Sequence, residues 1–117
     1  MKKADAVAAL AALAQESRLD VFRLLVEAGP DGRSAGDIAN ALKLAPNTLT
    51  FHFDRLRQAG LVTVRRDGRS MIYAARYDAM NDLLGYLTEN CCQGRECAPS
   101  RPRTSAASAS RRKEGAT

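Results

Sequence analysis

Residues 41–75 read ALKLAPNTLTFHFDRLRQAGLVTVRRDGRSMIYAA, and the fold turns on them. Pro46 suits the first position of a helix, because its missing N–H would have no partner there. That helix is expected to run to about Ala59, closed by Gly60. Leu49, Phe53 and Leu56 recur at i, i+4 and i+7, which makes one buried stripe. Leu61 to Arg66 (LVTVRR) is β-branched, Asp67-Gly68 is a hairpin turn signal, and Arg69 to Ala75 (RSMIYAA) reads as the returning strand.

Working upstream, Ser34 caps a short helix, and Asp37 three residues on completes a box-like N-terminus. Ile38 and Leu42 face inward, and the helix ends near Lys43-Leu44. Two short helices joined by a tight turn form a helix-turn-helix, and the hairpin that follows at once makes it a winged helix. Earlier still, Ala4 to Ala14 predicts a helix with Val7, Leu10 and Leu13 on one side. A second is expected from about Ser17 to Ala28, with Leu19, Phe22, Leu25 and Val26 as its apolar stripe and Gly29-Pro30 as its stop. Pro30-Asp31-Gly32 is a turn signal. Downstream, a last helix from about Asp78 to Asn90 carries Met80, Leu83, Leu84 and Leu87. So apolar a helix ending so small a body is expected to pack on its copy in a second subunit. The fold class is therefore mainly α with a small β-hairpin.

The chain has 117 residues, a length that suits one small domain. Its 45% hydrophobic content allows a compact core, although aromatics are only 5%. A chain this short buries about 60–65% of its unfolded surface, so dimerisation would help its stability. No apolar run approaches the roughly 18 residues of a membrane span. The Ala-rich start with Lys2 and Lys3 looks a little like an export signal, but Asp5 interrupts it and the pattern runs on as a helix. A cytoplasmic protein without a membrane partner is expected. The charge of +5 is uneven. From Ala98 onward five basic residues (Arg101, Arg103, Arg111, Arg112, Lys113) oppose Glu114 alone, which leaves the body nearly neutral. That Ser-, Ala-, Pro- and Arg-rich tail lacks hydrophobic periodicity and is expected to be disordered. The expected organisation is a domain at 1–92, a cysteine segment at 91–97 and a basic tail at 98–117.

Outside the buried stripe, Asn47, Thr48, Phe51 and Arg55 share one face of the Pro46–Ala59 helix, with Thr50 beside them. In helix-turn-helix proteins the N-terminal part of the second helix reads base edges in the major groove. Asn suits adenine, Thr offers a hydroxyl and a methyl, and Arg suits guanine or phosphate. Phe51 could lie against thymine methyls. Arg65, Arg66 and Arg69 flank the hairpin tip, where they could grip phosphate or enter a minor groove. His52, the sole histidine, neighbours the buried stripe and is read as structural or phosphate-contacting; it is grouped with the DNA-binding set. No Ser, Cys and His stand in a recognisable nucleophile context, so no catalytic residues are expected.

Three cysteines, Cys91, Cys92 and Cys97, lie within seven residues. The odd, clustered number argues against a disulfide framework. Three thiolates are too few for a closed four-ligand zinc site unless another residue or subunit helps. Soft sulfur ligands select soft ions, and an ion that takes three sulfurs in a pyramid fits the count. Trivalent arsenic is such an ion, and trivalent antimony another. Gly94 lets the chain fold back so that Cys97 can reach the adjacent pair, and Arg95 helps keep thiolates charged. Methylated arsenite (which needs two sulfurs), cadmium, lead and a peroxide-sensing Cys pair are the alternatives. Cys97 to Arg103 has the C-x5-R spacing of a phosphate-cradling loop, but that chemistry needs a strand, a tight loop and a helix N-terminus, whereas this segment holds Pro99 and Pro102 and leads into the expected disorder.

The segment 41–75 resembles the ArsR family of small arsenic- and metal-responsive winged-helix repressors. It carries Thr50 two before His52, then Leu56, then Ala59-Gly60-Leu61-Val62, a basic hairpin and Tyr73. Upstream, LAALAQESRLDVFRLL is similar to the family's Leu-Ala-x-x-x-Arg opening. The resemblance spans roughly residues 6 to 90. It implies a homodimer through the first and last helices, bound to a twofold-symmetric double-stranded operator and released by an inducer. Some members carry Cys-x-Cys in the helix that here reads Gly36-Asp37-Ile38-Ala39-Asn40, and others bind zinc through a His on the last helix; this chain has neither. Its CC-x4-C cluster resembles the C-terminal arsenite site of a third subgroup. Asp54 stands where relatives are usually basic or polar, which disfavours phosphate contact there.

Overall fold

The computed structural model describes residues 1–94. Cys97, Arg95 and the basic tail, on which part of the sequence reading rests, lie outside the described residues. One compact unit spans Met1–Leu87, and the described residues from Thr88 on fall outside it. The first unit runs α1 (Lys3–Leu13), α2 (Glu16–Ala28), β1 (Arg33–Ser34), α3 (Ala35–Leu42), α4 (Pro46–Gln58), β2 (Val62–Asp67), β3 (Ser70–Ala75) and α5 (Tyr77–Leu87). It is a winged helix-turn-helix.

The local chemistry explains α4 and its support. Ser34 Oγ accepts from the Asp37 N–H at 3.1 Å and starts α3. Lys43 then takes a left-handed φ of 57°, and the Leu44 N–H donates back to the Ala39 carbonyl. Ala45 is extended, as a residue before proline must be, and Pro46 opens α4. At the other end the Leu61 N–H returns to the Leu56 carbonyl across Gly60, whose φ is 78°. Leu25, Ile38, Leu49, Leu56 and Leu61 are fully buried, so the core joins α2, α3, α4 and the start of the wing.

The sheet has three strands in the order β1-β3-β2, all antiparallel. The third strand, β1, pairs Arg33 with Tyr73 and Ser34 with Ile72. Two residues carry no periodicity of their own, so the sequence does not announce it. Gly32 permits it: its φ is 75°, and any side chain there would run into the Tyr73 carbonyl. The hairpin turn is Gly68-Arg69 rather than Asp67-Gly68, since Asp67 still pairs with Ser70. Gly68, with φ 64°, takes the first turn position, where a two-residue hairpin favours a positive φ.

Two helices differ from expectation in the face they bury. On α1 the inward residues are Ala6, Ala9 and Ala12, while Val7 and Leu10 are exposed. Short alanines let α1 lie close on its neighbours; Val7 and Leu10 point away, while Leu13 packs against the core as expected. On α2, Val21 joins Phe22 and Leu25 inside, and Leu19 is exposed. The last helix stops at Leu87, not Asn90; Leu83 is buried, but Leu84 and Leu87 are more than half exposed. Among the described residues no helix is long and apolar enough to cross a membrane.

Candidate nucleic-acid interface

Helix α4 buries Leu49, His52, Phe53 and Leu56 at i, i+3, i+4 and i+7, which leaves the opposite face to solvent. Asn47 and Thr48 are exposed in its first turn, and Thr50, Phe51 and Arg55 follow them. Phe51 is 51% exposed. The Arg55 guanidinium stands 5.1 Å from its ring centroid, a cation–π contact that holds the charge over the exposed ring. Thr50 Oγ1 donates to the Pro46 carbonyl at 3.0 Å, so its proton stays on its own helix and its oxygen remains an acceptor. Asp54 pairs with Arg57 at 3.3 Å, which directs its charge toward a guanidinium on the same helix.

His52 requires a correction. It is 5% exposed, so its side chain belongs to the core and is withheld from any DNA-facing surface. The reason is helical spacing: it sits three residues after Leu49 and four before Leu56, on the stripe that packs inward. Its Nδ1 meets no hydrogen-bonding partner among the described residues. Burial first, and the positive Arg18 second, push its pKa below the usual 6.5 and favour the neutral ring.

The three wing arginines divide. Arg66 lies on β2 near the tip and Arg69 in the turn itself, both exposed. Arg65 reaches back instead: its Nη2 donates to the Asp31 carbonyl at 3.0 Å, which ties the wing to the loop before β1. Arg18 escaped the reading of chemistry-bearing residues, although it is the Arg of the Leu-Ala-x-x-x-Arg opening. It is partly buried, and its Nε donates to the Ala12 carbonyl at 2.7 Å, closing the end of α1.

The cysteine segment forms a separate local structure. Cys91–Gly94 form a kinked turn whose middle residues, Cys92 and Gln93, leave the 3-10 conformation. Asn90, Cys92 and Gln93 all take a left-handed φ near 57°, a costly run for residues other than glycine. The Cys91 N–H bonds the Thr88 carbonyl, and the Gln93 N–H bonds that of Asn90. The exposed Cys91 and Cys92 sulfurs lie 3.4 Å apart.

Comparison with known proteins agrees with this geometry. Residues 13–65 match the family model described as a helix-turn-helix domain. An uncharacterised HTH-type transcriptional regulator, YceK of Bacillus subtilis, is 35% identical over 77 residues, which covers 65% of this chain and 76% of YceK. Among solved structures, HlyU from Vibrio cholerae superposes with a TM-score of 0.60 at 33% identity, over 74% of this chain and 97% of HlyU. An ArsR-like transcriptional regulator from Rhodococcus sp. RHA1 superposes with a TM-score of 0.68 at 25% identity, over 78% of this chain and 83% of that one.

Proposed function

Because this chain belongs to the ArsR family of winged-helix, DNA-binding transcriptional regulators, we propose that it is an arsenite-responsive repressor. The DNA-reading set is Asn47, Thr48, Thr50, Phe51 and Arg55 on α4, with Arg66 and Arg69 on the wing. Arg65 serves by fixing the wing. The operator is double-stranded and twofold symmetric, read by a homodimer in major grooves about one turn apart. Dimerisation runs through α1 and α5. The exposed Val7, Leu10, Leu84 and Leu87 support this, as does an apolar groove of about 360 Å³ lined by Leu19, Phe22, Met80 and Leu84.

The inducer site is Cys91, Cys92 and Cys97. The observation that carries it is the juxtaposition of the first two sulfurs. If an ion held both with bonds of about 2.3 Å, the zinc–thiolate length, sulfurs 3.4 Å apart would subtend roughly 95°. That is narrower than a tetrahedron and suits a pyramidal ion whose fourth position is a lone pair. As(III) has that shape, and Sb(III) shares it. Closing Cys97 onto the pair restrains the segment after α5 and lowers operator affinity; the coupling is reciprocal, typically about 1–3 kcal/mol.

The test is operator binding with and without arsenite for the wild type and for the variant combining Cys91→Ser, Cys92→Ser and Cys97→Ser. Release of the wild type alone supports the reading. Release of the variant as well would remove the cysteines as the sensor.

A further inference from the structure

A cavity of about 490 Å³ opens between α1 and α4, within the range of roughly 300–1,000 Å³ that small-molecule sites occupy. Ala8 and Ala11 of α1 form one wall, and their single-carbon side chains leave it open. The half-exposed Phe51 ring and Gln58 stand on the α4 side. Two guanidiniums, Arg18 and Arg55, line the same space, and no carboxylate does. Arg18 is already anchored through Nε to the Ala12 carbonyl, so ordering it for a ligand costs little. Arg55 is held above Phe51. The carboxylate of Asp54, which could have neutralised it, pairs with Arg57. Such a space offers an aromatic face, an apolar wall and two cations sharing no counter-charge.

We propose that this cavity binds a small aromatic carboxylate, with its ring between Phe51 and the alanine wall and its carboxylate held by Arg18 and Arg55. The ligand occupies two side chains of the reading face, so it competes with operator DNA. The competition rests on the proposed DNA contacts of Phe51 and Arg55; the binding itself does not.

The experiment uses 1-naphthoate and its uncharged counterpart 1-naphthamide, each titrated calorimetrically into the full chain without DNA. Operator binding is then measured in saturating naphthoate. Naphthoate is expected to bind once per chain and naphthamide about tenfold more weakly, the scale of a lost charge-assisted hydrogen bond. Ala11→Met, at an exposed position of α1, intrudes into the cavity and is expected to abolish naphthoate binding while its circular dichroism stays unchanged. Arg18→Gln is expected to weaken naphthoate about tenfold and to leave naphthamide unaffected. No naphthoate binding, equal binding of the two probes, or binding untouched by Ala11→Met overturns the site. Normal binding that leaves operator affinity unchanged overturns the competition, and locates the fault in the placement of Phe51 and Arg55 on DNA.

Discussion

Phe53 of α4 and Tyr73 of β3 stack face to face, their ring centroids 3.6 Å apart and their planes 8° from parallel. Nineteen residues of chain lie between them, yet the contact joins α4 directly to the wing. Phe53 is also buried against the core. Phe53→Ala should therefore cost about 3–5 kcal/mol, a large part of the roughly 5–15 kcal/mol that holds a domain folded. Urea unfolding monitored by circular dichroism measures it.

His52 makes stability depend on pH in a defined window. Its folded-state pKa lies below 6.5, so just under that pH the unfolded chain binds the proton more readily than the folded one. Stability is then fully present above about pH 6.5 and falls as the pH drops through the lowered folded value. Asp78, held below its usual 3.8 by the Arg76 hydrogen bond, adds a separate loss in a more acid range. His52→Leu should flatten the first window and leave the second. Urea midpoints taken from pH 7.5 down to pH 3 distinguish the two.

The interface arginines should separate by what they touch. Arg66→Ala should weaken binding to every DNA sequence alike and reduce the salt slope by about 1, as loss of one phosphate contact does. Asn47→Ala and Arg55→Ala should each cost about 1–3 kcal/mol and relax preference at particular base pairs. Arg65→Ala should lower thermal stability as well as affinity, because its guanidinium braces the Asp31 carbonyl. Fluorescence anisotropy at several salt concentrations, on operator and scrambled duplexes, tests the four affinities, and thermal unfolding tests the stability loss of Arg65→Ala. The nearly neutral body puts the affinity on these few placed side chains rather than on bulk charge.

Leu10 is exposed on α1 and Leu87 on α5. Leu10→Glu and Leu87→Glu should leave the fold intact by circular dichroism and shift sedimentation from dimer to monomer. Operator affinity should fall with them, since one reading head replaces two.

The winged helix was legible because each of its joints rests on local chemistry: the Ser34 cap, the Pro46 start, the Gly60 stop and the glycine of the hairpin. What was not legible depends on partners distant in the chain. Strand β1 exists because Gly32 lets Arg33 and Ser34 approach Tyr73, and two residues cannot announce that. The turn slipped by one residue because a positive-φ glycine serves either of its two central positions. Helix α1 misled by carrying Val7 and Leu10 on the face turned away from its own core, while alanines and Leu13 pack inward. His52 lies on a stripe of Leu and Phe whose spacing includes it, but a polar ring is not what that pattern leads one to count. The exposed face of α4 could be read by subtraction, whereas the cavity beneath Phe51 depends on where α1 crosses and left no trace in the residue order. The cysteine spacing was plain, yet the 3.4 Å approach of Cys91 to Cys92 comes from a backbone turn that spacing does not encode.

The most direct measurement is operator binding titrated in parallel with arsenite, antimonite, cadmium and zinc, on the full chain under reducing conditions. Arsenite and antimonite should release the operator at about one ion per three-cysteine site, with cadmium weaker and zinc without effect. Release by zinc at the same concentration, or retention of the operator in saturating arsenite, would mean that the cysteine segment is not a sensor of pyramidal three-sulfur ions.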